Sequence, residues 1–214
     1  MRIIAGKFKG RVIEMTKGTR PTSDKVREAL FEILKNRIVG ARFLDLYCGS
    51  GAVGIEAFSR GAKRVTFVDN SSKCVKVLEK NLRNLNIEND GGIFIYKDDL
   101  LRFFNSIGKH MSSFGCSYSS HPQDKILPYN LRSLRSVSCG KILFDVIFLD
   151  PPYYKDMARN TLIALSNYDI LPPNTVVVAE VYKKEILPET IGFLEKTRIS
   201  TYGDTKLEFF INKR

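Results

Sequence analysis

The feature that most constrains the fold is an alternation of short apolar runs with amphipathic segments of helical period. Four of these runs have the length and composition of buried strands: 43–46, 64–69, 93–96 and 143–149. Strands that alternate with helices predict a doubly wound, mostly parallel sheet. A last pair of strands, at about 196–202 and 205–211, turns at Tyr202-Gly203-Asp204 and predicts an antiparallel hairpin. We therefore expect a Rossmann-like α/β fold.

Positive charge is concentrated at the start of the chain. Of the net charge of +11 over 214 residues, +7 lies in residues 1–42, which hold eleven basic and four acidic side chains. Residues 1–14 alternate around Gly10 like a basic hairpin, and Thr22-Ser23-Asp24 predicts the N-cap of a helix. Such a surface favours a nucleic-acid partner. We predict a nucleic-acid-binding extension at 1–40 and a main domain at 41–214.

A stretch at about 107–140 lacks periodicity and is rich in serine, which predicts a flexible insertion. It contains both histidines and two of the four cysteines: His110, Cys116, His121 and Cys139. A zinc site is the alternative, but the spacings match no compact ligand pattern, so we predict no metal. Because the cysteines show no close pairing, we expect reduced thiols.

No apolar run approaches membrane-spanning length, and the first residues lack the apolar core of a signal peptide. The sequence therefore predicts a cytoplasmic protein that does not associate with membranes. Nothing in it demands more than a monomer.

The first predicted strand ends in a glycine-rich turn. Residues 49–54 fit the pattern G-x-G-x-x-G, which places a ligand close to the backbone at a helix N-terminus. A nicotinamide-dependent oxidoreductase is one interpretation of this loop. Asp45, ahead of it, would repel a pyrophosphate but can meet a cationic ligand, or else can orient the loop by a hydrogen bond. Asp69 ends the second strand, where it can bind ribose hydroxyls.

The third strand is followed by Asp98 and Asp99. Asp99, with Leu100 against the ring, is predicted to accept a hydrogen bond from an adenine amino group, and a helix N-cap is the alternative. The predicted cofactor-binding residues are Asp45, Tyr47, Gly49, Ser50, Gly51, Asp69, Asn70, Asp99 and Leu100.

The fourth strand ends in Asp150-Pro151-Pro152-Tyr153, which we take as the catalytic segment. Two prolines make the turn rigid and leave carbonyl acceptors beside a carboxylate and an aromatic face. An exocyclic amino group on a flat base would fit these acceptors. This pattern is typical of methyltransferases that use S-adenosylmethionine to modify amino groups. A plain Pro-Pro turn is the structural alternative.

The motifs together resemble the RsmD family of 16S ribosomal RNA guanine-N2 methyltransferases. The resemblance covers nearly the whole chain except about 107–140, and its most specific part is Arg20-Pro21-Thr22-Ser23-Asp24-Lys25-Val26-Arg27-Glu28. It implies a class I methyltransferase fold, S-adenosylmethionine as methyl donor and a guanine of 16S ribosomal RNA as target. We expect this RNA within a small-subunit particle, with naked RNA as the alternative. Asp-Pro-Pro-Tyr alone permits adenine N6 equally.

Five residues of the basic extension are predicted RNA contacts: Lys9, Arg11, Arg20, Thr22 and Arg27. Arg20 and Arg27 have two alternatives, which are ordering of the segment over the cofactor and a solvated helix face. Two other functions remain open at this point: an amino methyltransferase acting on another RNA or on DNA, and an RNA-binding protein with an inactive methyltransferase fold.

Overall fold

The structure, a computed structural model, describes residues 1–16, 18, 22–108, 142–153 and 156–214. The helices in this part of the chain are α1 (Asp24–Leu34), α2 (Ala52–Ser59), α3 (Ser72–Asn84), α4 (Leu100–Gly108) and α5 (Met157–Ser166). The strands are β1 (Arg42–Leu46), β2 (Arg64–Val68), β3 (Ile93–Tyr96), β4 (Val146–Leu149), β5 (Val176–Tyr182), β6 (Thr190–Ile191), β7 (Leu194–Tyr202) and β8 (Thr205–Asn212).

All eight strands form one sheet in the order β3-β2-β1-β4-β5-β8-β7-β6. Strands β1 to β5 are parallel, whereas β8 pairs antiparallel with both β5 and β7. The strand order reverses between β1 and β4, which is where ligands bind in open α/β sheets. The predicted α/β fold with an antiparallel final pair is confirmed.

Side chains of the central strand alternate between two cores, one on each face of the sheet. Phe43 packs in a cluster with residues of α1, α2 and α3, among them Leu30 and Leu78. Leu44 and Leu46 point to the other face, where they join Phe103 of α4 and residues of α5. Helices therefore cover both faces, as the near-continuous apolar runs of the parallel strands require.

The N-terminal segment is docked on the first face. Arg2 and Val12 form an antiparallel bridge, which confirms the hairpin, and Ile13 joins the same core as Phe43. Helix α1 follows, with the Ser23 side chain accepting a hydrogen bond from the Val26 backbone N–H, as the capping pattern predicts. The division into a 1–40 extension and a main domain stays a prediction.

Two short described elements were not predicted: the 3₁₀ helix Lys35–Arg37 and strand β6, which has only two residues, too few for a pattern. Helix α4 follows Asp99 directly, as the N-cap alternative for Asp99 requires. Strand β4 begins at Val146, later than the predicted 143. The predicted insertion lies almost wholly outside the described residues. No helix in the described part is long and apolar enough to cross a membrane.

Candidate active site

The glycine loop connects β1 to α2 and places the α2 N-terminus at the switch point. Gly51 is the N-cap residue and has a left-handed backbone, with φ 81°. The amide of Asn81 on α3 donates to the Ser50 carbonyl at 3.0 Å and to the Glu14 carbonyl at 3.0 Å. One side chain of α3 thus fixes both the loop and the segment that follows the N-terminal hairpin.

Asp45 is buried beneath this loop, with 2% of its surface exposed. Its Oδ2 accepts a hydrogen bond of 2.8 Å from the Gly54 backbone N–H. A Cβ on Gly54 would lie 2.3 Å from the Phe67 ring, so only glycine permits this approach. Burial raises the pKa of Asp45 to about 7, against the lowering effect of the Gly54 hydrogen bond, and the charge of Asp69 adds to the rise. The orienting role is therefore present, and contact with a cationic ligand stays a prediction.

Asp69 directly follows β2 and joins the glycine loop to helix α3. Its two oxygens accept from the Gly49 N–H at 2.9 Å and the Ser71 N–H at 2.8 Å. Ser71 in turn caps α3, so the half-buried carboxylate sets the loop and the helix relative to each other. Asn70, beside it, is exposed at this edge of the sheet.

Two predicted cofactor residues of the loop have internal partners. The Tyr47 hydroxyl lies 2.8 Å from the Thr161 hydroxyl of α5, and burial raises the pKa of Tyr47. The Ser50 hydroxyl donates to the Met15 sulfur at 3.3 Å. Both residues belong to the loop, and their contact with a cofactor stays a prediction.

Asp99, which follows β3, has the helix-capping role that the sequence offered as the alternative. Its Oδ1 accepts from the Arg102 N–H at 2.9 Å, which makes it the N-cap of α4. Asp99 is exposed, and Leu100 is half-buried against the second core. The capping role does not conflict with the predicted contact to an adenine amino group, because a carboxylate accepts several hydrogen bonds.

The Asp150-Pro151-Pro152-Tyr153 segment begins directly after β4, next to the end of β1. Asp150 is half-buried, Pro151 is buried and Pro152 is exposed. The Tyr153 hydroxyl lies 3.1 Å from the Thr205 hydroxyl, and its ring packs on Tyr182 at 5.8 Å between centroids. Because Thr205 begins β8 and Tyr182 ends β5, the antiparallel pair of strands supports the aromatic face of the segment.

The predicted RNA contacts divide into two groups. Lys9 and Arg11 are exposed on the hairpin, although Arg11 also donates to the Asn84 carbonyl at 2.6 Å. Arg20 lies outside the described residues. Thr22 and Arg27 are buried, with 7% and 0% of their surface exposed, so neither presents a surface to RNA phosphates in this structure.

The placement of Arg27 and Thr22 therefore does not support a direct RNA contact, which stays a prediction for both residues. Arg27 is on the core face of α1, where it pairs with Glu56 (Nε to Oε2, 3.7 Å) and Asp24 (Nη2 to Oδ1, 3.1 Å) and contacts the Arg2 carbonyl and the Met1 sulfur. Desolvation lowers the pKa of Arg27. The pairing supports the alternative role, in which Arg27 orders the N-terminal segment.

Sequence reasoning missed Glu56 as the counterpart of that arginine. Glu56 is fully buried in α2, and it accepts from the backbone N–H groups of Ile4 and Ala5 and pairs with Arg60. A single acidic residue in the apolar helix sequence Ala52-Val53-Gly54-Ile55-Glu56-Ala57 was the available signal.

The described residues contain no group of three or more metal-binding side chains, and Cys48 and Cys74 are buried free thiols. Burial raises the pKa of Cys48 well above its ordinary value, with further contributions from the charges of Asp45 and Asp69. The predicted insertion, with the histidines and other cysteines, lies mostly outside the described residues.

The sheet order and the carboxylates at the ends of β1, β2 and β4 define the class: a Rossmann-like class I methyltransferase fold. The family model described as Conserved hypothetical protein 95 matches residues 1–125 and 102–211. The Ribosomal RNA small subunit methyltransferase D of Haemophilus influenzae is 32% identical over 202 residues, covering 92% of this chain and 88% of that protein. The chain belongs to this family, the RsmD family that its motifs resemble.

Solved structures agree on the fold. The structure of yhhF from Escherichia coli superposes with a TM-score of 0.74 at 25% identity, covering 100% of this chain and 98% of that one. An RNA methyltransferase from Salinibacter ruber, in complex with S-adenosyl-L-homocysteine, has a TM-score of 0.59 at 14% identity and covers 91% of this chain and 95% of that one. The second likeness is one of fold alone.

Proposed function

We propose that this protein transfers a methyl group from S-adenosylmethionine to the exocyclic N2 amino group of a guanine in 16S ribosomal RNA. The observation that carries the proposal is the position of Asp150-Pro151-Pro152-Tyr153 at the switch point, beside the glycine loop. The acceptors that could hold an amino group thus border the place where the fold binds a nucleotide-like cofactor. The relative from Haemophilus influenzae is named for the same reaction class on small-subunit RNA.

The residues present suit S-adenosylmethionine. The loop from Asp45 to Gly54 contains no basic side chain, and carboxylates stand at the ends of β1 and β2. This donor set favours a ligand that carries positive charge and hydroxyl groups over a pyrophosphate. Asp69 would bind the ribose hydroxyls, Asp45 would face the cationic methionine portion, and Asp99 with Leu100 would receive the adenine. The cofactor supplies an electrophilic methyl group on a sulfonium.

Asp150 and the Pro151 carbonyl would hold the target amine by accepting hydrogen bonds from its two N–H groups. The nitrogen lone pair of guanine is delocalised into the ring, and these bonds favour a more tetrahedral nitrogen. Most of the acceleration would come from Asp150 and the Pro151 carbonyl holding the nitrogen about 3–3.5 Å from the methyl carbon. Transfer would form the N–C bond as the S–C bond of the donor breaks, and Asp150 or solvent would take the amine proton.

Tyr153 would stack on the base, a contact worth about 1–3 kcal/mol in single-strand binders. A base in folded RNA must first be turned out of its stack, which costs a few kcal/mol. Lys9 and Arg11 on the hairpin offset this cost by phosphate contacts, which position the RNA without reading its sequence. We propose a small-subunit ribosomal particle as the physiological form of the substrate.

The test is transfer of label from S-adenosylmethionine to small-subunit particles that lack their native base methylations, followed by nucleoside analysis. We expect N2-methylguanosine with the wild-type protein and none with Asp150→Ala. Asp156→Asn, at an exposed carboxylate with a left-handed backbone that asparagine tolerates, is the matched control and should retain activity. Label in N6-methyladenosine would replace the guanine assignment. No transfer despite cofactor binding would favour an inactive RNA-binding protein.

A further inference from the structure

We infer that Thr22 is a positioning residue for the methyl transfer: its hydroxyl orients the Asp150 carboxylate toward the target amine. The inference rests on the proposed function of the site. The Thr22 Oγ1 donates a hydrogen bond of 3.3 Å to Asp150 Oδ2, between residues that are 128 positions apart. A segment of the N-terminal extension thus contacts the reacting end of β4.

The donor is held in place from its C-terminal side. Thr22 directly precedes Ser23, the N-cap of α1, and the cap accepts from the Val26 N–H at 3.3 Å. One turn further, Arg27 has no exposed surface and pairs with Glu56 of α2. Helix α1 therefore has a fixed position relative to α2, the helix that begins at the glycine loop.

Thr22 also has a stiff side chain. It is 7% exposed, and its branched Cβ restricts the χ1 rotamers. The carboxylate that it contacts has a broad χ2 preference of its own, so its plane is set by its hydrogen-bond partners. A fixed hydroxyl that donates to Oδ2 supplies one of the constraints that define the direction in which Asp150 accepts.

The consequence for the reaction is a geometric one. The amine nitrogen reaches the methyl carbon in line only if its two N–H groups find acceptors in the right directions. Asp150 is one of those acceptors in the proposed mechanism. Loss of the Thr22 hydroxyl therefore reduces the turnover of bound substrate more than the binding of cofactor, which contacts other strand ends.

Two substitutions at Thr22 separate positioning from packing. Thr22→Val keeps the shape and removes the hydroxyl, and Thr22→Ser keeps the hydroxyl. We expect Thr22→Val to lower kcat about tenfold, which is the size of one hydrogen bond to a charged group. The Kd for S-adenosylmethionine should stay within about twofold, and Thr22→Ser should restore most of the activity. Thr175→Val removes another buried threonine hydroxyl, bonded to the Phe144 carbonyl far from the site, and should leave kcat unchanged.

The outcomes separate this inference from the proposed function. Wild-type kcat in Thr22→Val, equal loss of kcat in the valine and serine variants, or a parallel loss of cofactor affinity would each overturn the role of Thr22 while wild-type turnover upholds the function. A wild-type protein that binds S-adenosylmethionine but methylates no ribosomal substrate would overturn both.

Discussion

The Asp45 carboxylate, 2% exposed, accepts a hydrogen bond of 2.8 Å from the backbone N–H of Gly54 in the first turn of α2. Because this buried carboxylate contacts the glycine loop, its protonation state makes the stability of the loop depend on pH. Because its pKa is raised from 3.8 to about 7, chiefly by desolvation, the folded protein keeps this proton over a range in which the unfolded chain releases it.

Because the pKa of Asp45 is higher in the folded protein than in the unfolded chain, Asp45 stabilises the fold most at low pH. This contribution is fully present below about pH 4 and is lost as the pH rises from about 4 to about 7, by up to about 4 kcal/mol. Asp45→Asn keeps an acceptor for Gly54 but cannot ionise. We expect it to unfold at higher urea than wild type at pH 8 and at nearly equal urea at pH 4. Parallel pH profiles for the two proteins would contradict the assignment.

Binding of S-adenosylmethionine should depend on the same proton. A cationic ligand favours the ionised carboxylate, so we expect its Kd to fall as the pH rises from 6 to 8, by up to about tenfold per pH unit below the pKa. Calorimetric titration in two buffers of different ionisation enthalpy should show proton release on binding to wild type. Proton release of equal size in Asp45→Asn would assign the effect to another group.

Removing one partner of the buried Arg27–Glu56 ion pair should destabilise the protein. We expect Arg27→Met to lower the free energy of unfolding by about 1–3 kcal/mol, because it removes one of the two arginines that pair with the buried Glu56 carboxylate. The double variant Arg27→Met, Glu56→Gln should recover part of the loss. Arg198→Met, on the exposed part of β7, is the control and should change stability by at most about 0.5 kcal/mol. An equal change in the free energy of unfolding for Arg27→Met and Arg198→Met would show that the burial of Arg27 does not add to the cost of losing it.

The exposed basic side chains of the hairpin should act on RNA alone. We expect Lys9→Ala with Arg11→Ala to weaken RNA binding and to lower the slope of log K against log salt by about 1 or 2, since each phosphate contact contributes about 0.7–0.9. Affinity for S-adenosylmethionine should not change. Arg37→Ala, next to the opposite edge of the sheet, serves as a control for the loss of one positive charge away from the hairpin. An unchanged salt slope would place the RNA elsewhere on the surface.

Tyr153 should contribute through its ring more than through its hydroxyl. Tyr153→Phe removes the contact with Thr205 and keeps the aromatic face, so we expect a small change in kcat/KM. Tyr153→Ala should lower kcat/KM by about 10- to 100-fold, in line with loss of base stacking. Steady-state kinetics on the unmethylated particles would measure both, and similar losses in the two variants would favour a structural role for the hydroxyl.

The positions of the site's aspartates could be predicted because each lies at or beside the end of a strand that the local apolar pattern indicates. Asp45, Asp69 and Asp150 each follow or end a buried strand, and parallel strands bring their carboxyl ends to one edge. The Ser23 cap is equally local. In both cases the signal and the structure that it specifies are separated by only a few residues.

The burial of Arg27 and Thr22 could not be predicted in this way. Polar residues at these positions are compatible with a solvated surface, and only tertiary contacts decide otherwise. The partners that bury them, Glu56 and Asp150, are distant in sequence. The positive charge of the segment predicts RNA binding, but in the structure the charge of Arg27 pairs with buried Glu56.

The pairing of β1 with β4 has one more consequence. Arg42 and Asp145, which form an ion pair at the start of these strands, are separated by 103 positions. The entropy of closing a flexible loop grows only with the logarithm of its length, so doubling the length of the connection between β3 and β4 would add only about 0.6 kcal/mol to the closure cost. The central ladder therefore places little thermodynamic limit on lengthening the chain between β3 and β4.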